Sequence, residues 1–170
     1  HLETTPLSEA LATLDAIATF AVTISVPTSL FSDLALVCQE NNDLECEAIC
    51  MKHLAHLLHL HSESEDARLC YQRALALFRQ TGDEIEQAQC LTGLGAIAID
   101  NSDYASARNL LDEALGMLRP HQQPLLQANC CDNLSQISFL CLENDAALRL
   151  SEEALSLYRE ANDNIGIANC

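Results

Sequence analysis

Residues 91–118 read LTGLGAIAIDNSDYASARNLLDEALGML. Apolar residues return every three or four positions on both sides of a polar interruption, DNSD. That spacing puts them on one face of each of two helices. The interruption is a turn, with Asp103 placed to cap the second helix through its short side-chain acceptor.

The pattern repeats at a fixed distance on either side. The segments ECEAIC, IEQAQC, LLQANC and IGIANC end at Cys50, Cys90, Cys130 and Cys170, forty residues apart. RALALFRQTGD (73–83), EALGMLRPHQQ (113–123) and EALSLYREAND (153–163) superpose under the same shift, and DLALVCQENND (33–43) falls into register. Such a period is the mark of a stacked repeat array. Three full units follow, 44–83, 84–123 and 124–163, with a degenerate cap-like helix pair over 1–43 and the start of a truncated unit at 164–170. First helices are expected at 44–60, 84–99 and 124–140, and second helices at 64–80, 104–119 and 144–160. Asn144 is a second candidate N-cap. Pro120 ends one helix, Pro124 suits the first turn of the next, and Gly82 with Asp83 marks another boundary. In the degenerate pair, Thr5-Pro6 opens a helix running to about residue 23, and a second helix covers about 28–41.

Small residues recur where second helices must pack closely, at Ala67, Ala107 and Ala147 and at Ala74, Ala114 and Ala154. Larger apolar residues flank them, Leu54, Leu94 and Leu134 in the first helices and Leu75, Leu115 and Leu155 in the second; these are core positions.

These residues resemble the tetratricopeptide repeat (TPR). The match runs through Leu94, Gly95, Asp103, Tyr104, Ala107, Ala114 and Leu115, although only the middle unit keeps Gly95 and Tyr104. The forty-residue spacing is similar to the longer subclass found in kinesin light chains, polarity adaptors and the C-terminal arrays of NACHT and NB-ARC signalling ATPases. The resemblance implies an all-α, right-handed superhelical solenoid of antiparallel helix pairs whose concave face binds a peptide or helix of a partner. It places Ile49, Lys52, His56, His59 and Leu60 on that face, then Gln89, Thr92, Ala96, Ile99 and Asp100, then Asn129, Asp132, Gln136, Phe139 and Leu140. The degenerate pair would add Glu9, Ala12, Ala16, Thr19 and Phe20. Asn133, just before Leu134, resembles the peptide-clamping asparagine of that subclass. A scaffold or adaptor function is implied; the alternative is a sensor or autoinhibitory segment of a larger STAND-type signalling ATPase or transcriptional regulator.

Composition agrees with a protein partner. Of 170 residues, 25 are Asp or Glu and 8 are Lys or Arg, a formal net charge of −17. Such a chain repels nucleic acid and anionic lipid and favours neutral or basic partners. No apolar run reaches the roughly 18–20 residues of a membrane-spanning helix, and a secretory leader is not visible. Nine cysteines lie singly in apolar helical segments, where they read as small buried hydrophobes in a reducing, intracellular setting. The chain begins without Met, as a fragment or processed product does, and its C-terminal end implies self-association or further units.

The histidine-rich stretch CMKHLAHLLHLH (50–61) raises the question of a metal. Cys46, Cys50 and His53 cluster on one helical face and supply three ligands, short of the four of a closed site. The forty-step counterparts of Cys50 lack a following histidine, so packing is the favoured reading, with no metal or cofactor expected. No nucleophile elbow, Walker A run or dinucleotide fingerprint occurs. The vicinal pair Cys130–Cys131 points in diverging directions on a helix and reads as unreactive. No enzymatic activity is expected.

Overall fold

The computed structural model describes residues 28–169. Among these residues lie eight α-helices and no strand: α1 (Thr28–Glu40), α2 (Leu44–Leu60), α3 (Ser64–Thr81), α4 (Glu84–Asp100), α5 (Tyr104–Leu118), α6 (Pro124–Leu140), α7 (Asn144–Ala161) and α8 (Asn164–Asn169). The helical blocks expected from periodicity appear within two residues at each end, the ordinary spread of helix boundaries. The first helix of the degenerate pair, with Thr5, Pro6 and groove candidates Glu9 to Phe20, lies outside the described residues, as does Cys170.

The chain divides into two compact units between Thr81 and Gly82. In the first, α1 packs along α2 and α2 along α3. Phe31, Leu54 and Leu57 form one buried cluster, with Met51, Leu58 and Cys70 against it. Ala35, Cys38, Cys46 and Cys50 form another. In the second unit, α4–α5 and α6–α7 are helix hairpins, α6 touches both α4 and α5, and α8 lies on α7. The repeated alanines carry these contacts: Ala67, Ala74, Ala107, Ala114 and Ala154 have 0% exposure. A methyl at each point lets two helices approach until the surrounding leucines interlock, each contributing about 1.5–3 kcal/mol on burial. Leu155 is the exception among the expected core leucines, being half-buried.

The joints between helices show a shorter period than the side chains. Asn42, Ser62, Gly82, Ser102, Leu142 and Asn162 have φ between 54° and 81°, and they recur every twenty residues except at 122. Five joints close in the same way. The residue after the left-handed one donates its N–H back to the last helical turn: Asp43 to Cys38 O, Glu63 to Leu58 O, Asp103 to Ala98 O, Glu143 to Ser138 O and Asp163 to Tyr158 O, at 2.8–3.0 Å. The left-handed residue donates three positions back, for example Ser102 to Ile99 O at 2.8 Å. This is the Schellman closure, which satisfies carbonyls the helix end leaves over.

At several joints the closing residue also opens the next helix. The side chains of Asp43, Asp83 and Asp103 accept from the N–H groups of Cys46, Glu86 and Ser106. Asn144 is a correction, since it is the first residue of α7; Glu143 stands at the cap and makes no side-chain capping bond. The series breaks at 119–123, where Pro120 cannot continue a helix and Pro124 begins one.

Leu142 adopts φ 63° with 83% of its surface exposed, so it bears the cost of the left-handed region, about 1–2 kcal/mol for an L-residue, with little burial to offset it. Leu142→Gly is expected to raise unfolding stability by about 1 kcal/mol, or about 2–4 °C in Tm. Thermal and urea denaturation check this; an unchanged or lowered midpoint would show that Leu142 makes a contact worth the strain.

Candidate functional site

In the first unit, Lys52, His56 and His59 occupy one face of α2 at helical spacing. Lys52 is buried at 9% exposure, leaving it little surface for a partner. His59 is half-buried and His56 exposed. The His56 imidazole is held below its usual pKa by partial desolvation, then by His59 and Lys52 beside it. It therefore stays neutral further into the acidic range than a free imidazole.

In the second unit the candidates fall into two groups. The α4 residues are largely committed to packing. Ile99 has 8% exposure. Thr92 donates to Ala88 O at 2.8 Å, and its hydroxyl lies 3.2 Å from Cys130 Sγ of α6. Gln89 donates to Glu86 at 3.0 Å. Two asparagines of α6 also have partners within the chain: Asn133 donates to Asn129 O at 2.9 Å, and Asn129 Oδ1 accepts from the Tyr158 hydroxyl at 2.8 Å. Any clamping by Asn133 would have to compete with its own helix.

The remaining three, Asp132, Gln136 and Phe139, meet. With Ser135 of α6 and Asn144, Ala147, Leu148 and Ser151 of α7 they line a pocket of about 440 Å³. Phe139 is 66% and Leu148 61% exposed, so the pocket has apolar flanks. Ser135 donates to Ala147 O at 2.9 Å and lies 2.7 Å from the Ser151 hydroxyl. The Asp132 carboxyl is pushed up by burial. The pocket thus offers an acid, two amides and hydroxyls between two apolar side chains.

Ser135, Leu148 and Ser151 were not among the sequence candidates. Their signal is the forty-step comparison, since Ser135 and Ser151 stand where the middle unit has Gly95 and Leu111. There a Cβ on Gly95 would sit 2.9 Å from Leu111 Cγ. Two serines leave room where a leucine fills it.

A second pocket, about 530 Å³, lies in the first unit and holds no sequence candidate. Ser32, Ala35, Leu36 and Gln39 of α1, Glu47, Met51 and Leu54 of α2, and Arg73 of α3 line it. Its charged pair is Glu47, with 6% exposure, and Arg73, whose Nε and Nη2 donate to Glu47 Oε1 at 3.0 and 2.9 Å.

The cysteine–histidine cluster is rearranged. His53 turns to Phe31, ring centroids 5.5 Å apart, and its place beside Cys46 and Cys50 is taken by Cys38 of α1. Cys38 and Cys46 form a disulfide with Cα atoms 5.8 Å apart, so not every cysteine is an isolated hydrophobe. Cys130 and Cys131 are free and buried; burial pushes the Cys131 thiol up to about 12, which leaves it unreactive. Among the described residues no helix is long and apolar enough to cross a membrane.

No protein-family model and no curated protein matches the sequence. Solved structures match well. BtubC (BKLC) from P. vanneervenii aligns with a TM-score of 0.62 at 18% identity, over 92% of this chain and 75% of that one. The apo form of RapI gives 0.66 at 14% identity, over 94% of this chain and 66% of that one. A Podospora anserina protein described as a kinesin light chain with nearly identical TPR-like repeats gives 0.55 at 12%, over 92% and 88%. At such identities the likeness concerns fold alone, and that fold is an all-α, TPR-like helical array.

Proposed function

We propose that this TPR-like array is a non-enzymatic protein-interaction module, a scaffold that holds a peptide or helix of a neutral or basic partner on its concave face. One observation carries the reading: Asp132, Gln136 and Phe139, chosen from repeat register, line one pocket with Leu148 and two serines. An extended or helical segment can place an apolar side chain between Phe139 and Leu148 while its amides pair with Gln136 and the hydroxyls. Asp132 and the chain's formal charge of −17 favour a Lys or Arg beside that anchor. The reading takes the chain to be intracellular, a setting in which the Cys38–Cys46 disulfide of this structure would be reduced.

A displayed peptide library selected on the purified chain tests it. Peptides with a basic residue next to an apolar anchor are expected to be enriched. Asp132→Lys and Phe139→Ser, each checked for retained helicity, should weaken their binding by about tenfold or more, about 1.4 kcal/mol. Selected peptides that bind both variants as well as the parent chain would remove the pocket from the reading.

A further inference from the structure

We propose that Cys38, Cys46 and Cys50, once reduced, form a three-thiolate site for monovalent copper. Cys38 comes from the last turn of α1, and Cys46 and Cys50 from successive turns of one face of α2. All three are buried, at 0%, 3% and 1% exposure, and their sulfurs lie within 4.8 Å of one another. A metal held by three thiolates at about 2.3 Å sets the sulfurs about 4 Å apart. With the Cα atoms of Cys38 and Cys46 5.8 Å apart, the proposal has the two side chains rotate to that spacing once the bond between them is reduced.

The repeat itself shows that packing does not require this sulfur. Forty-step counterparts of Cys38 are Phe78, Leu118 and Tyr158; those of Cys46 are Glu86, Leu126 and Gly166. Only the counterparts of Cys50 remain cysteine. The two positions face each other in the last unit as well, where a Cβ on Gly166 would sit 2.3 Å from Tyr158 Cδ1. Where other units set a bulky side chain against a different neighbour, this one sets sulfur against sulfur.

The donor set selects the ion. Three sulfurs are the donors, and Met51 packs against the cluster as an apolar neighbour. His53 is turned to Phe31, and Asp43 accepts the Cys46 N–H at 3.0 Å. Thiolate donors favour a soft ion, and Cu(I) is satisfied by three of them, whereas structural zinc takes four ligands.

The steps balance. A dithiol reductant gives two electrons and two protons to the Cys38–Cys46 bond, which breaks to two thiols while the reductant closes to its own disulfide. Cu(I) then forms three Cu–S bonds as three thiol protons pass to water, and copper keeps its oxidation state. Disulfide and metal are alternative states of the same sulfurs.

The test uses the full chain reduced under anaerobic conditions and titrated with Cu(I) against a competing chelator. A variant carrying Cys38→Ser, Cys46→Ser and Cys50→Ser sets the background of the other six cysteines. One copper per chain above that background is expected, with sulfur-to-copper absorption in the near ultraviolet, lost in Cys50→Ser and in unmutated protein whose disulfide is intact. The disulfide-intact arm needs no folded variant. No copper above background, equal binding by oxidised and reduced chains, or zinc held in preference to copper would overturn the proposal.

Discussion

Phe31→Ala is expected to cost about 3–5 kcal/mol, the range for removing a fully buried aromatic side chain and leaving a cavity. Phe31 has 1% exposure and is the residue by which α1 enters the Leu54–Leu57 cluster. Its ring also backs His53 at 5.5 Å. Farther along α1, Ala35 and Cys38 are buried against α2, but neither has comparable area. The loss should therefore be local. Amide exchange in α1 should accelerate by orders of magnitude while α4–α7 keep their protection, and urea unfolding of the first unit should shift to lower concentration. A cost below about 1 kcal/mol would mean that α1 is held by the disulfide alone.

Arg73→Met should cost about 2–4 kcal/mol, because it leaves the Glu47 carboxylate buried without its partner. The estimate sits below the full range for a buried pair because the Arg73 side chain is 48% exposed against 7% for Glu47. Glu47→Gln should cost much less. The register positions forty and eighty residues on are Gln87 and Gln127. Gln87 is itself buried, and the Gln127 amide donates to Leu118 O and His121 O at 2.8 and 2.9 Å. An amide at this place is thus compatible with the fold. With Glu47 already glutamine, Arg73→Met should add less than about 1 kcal/mol, so a double-mutant cycle by chemical denaturation reads the coupling directly. Additive costs would show that Arg73 acts through its stem packing instead.

The helices, their hairpin pairing and the alanine contacts were legible because each rests on a periodicity of side-chain size, and size is what close packing selects. Ala107, Ala114 and Leu115 could be placed in the core from spacing alone. The twenty-residue joint rhythm was hidden because it is written in backbone conformation. Asn42, Ser62, Ser102, Leu142 and Asn162 share φ, not chemistry, and only Gly82 announces itself.

Site residues were harder for a related reason. Register says which positions share a face but not which side chains are already engaged. Asn133 and Thr92 bond backward along their own helices, and Ile99 is covered by packing. Phe139 is left exposed at an equivalent position. His53 was misplaced because Phe31, twenty-two residues earlier, offers its ring a surface that no count along α2 could reveal. Ser138 is fully buried with no partner for its hydroxyl among the described residues, where the two preceding units have Leu58 and Ala98; spacing gave no hint of it.

A joint that uses its final residue twice, once to seal the helix behind and once to begin the helix ahead, has no slack. One extra codon at Asp43 or Asp103 would turn the following helix by about 100° and carry its alanines off the seam. Length variation among genes encoding such a chain should therefore come in whole forty-codon blocks, each a helix pair, with 119–123, where the double use lapses, as the segment able to accept single-codon insertions.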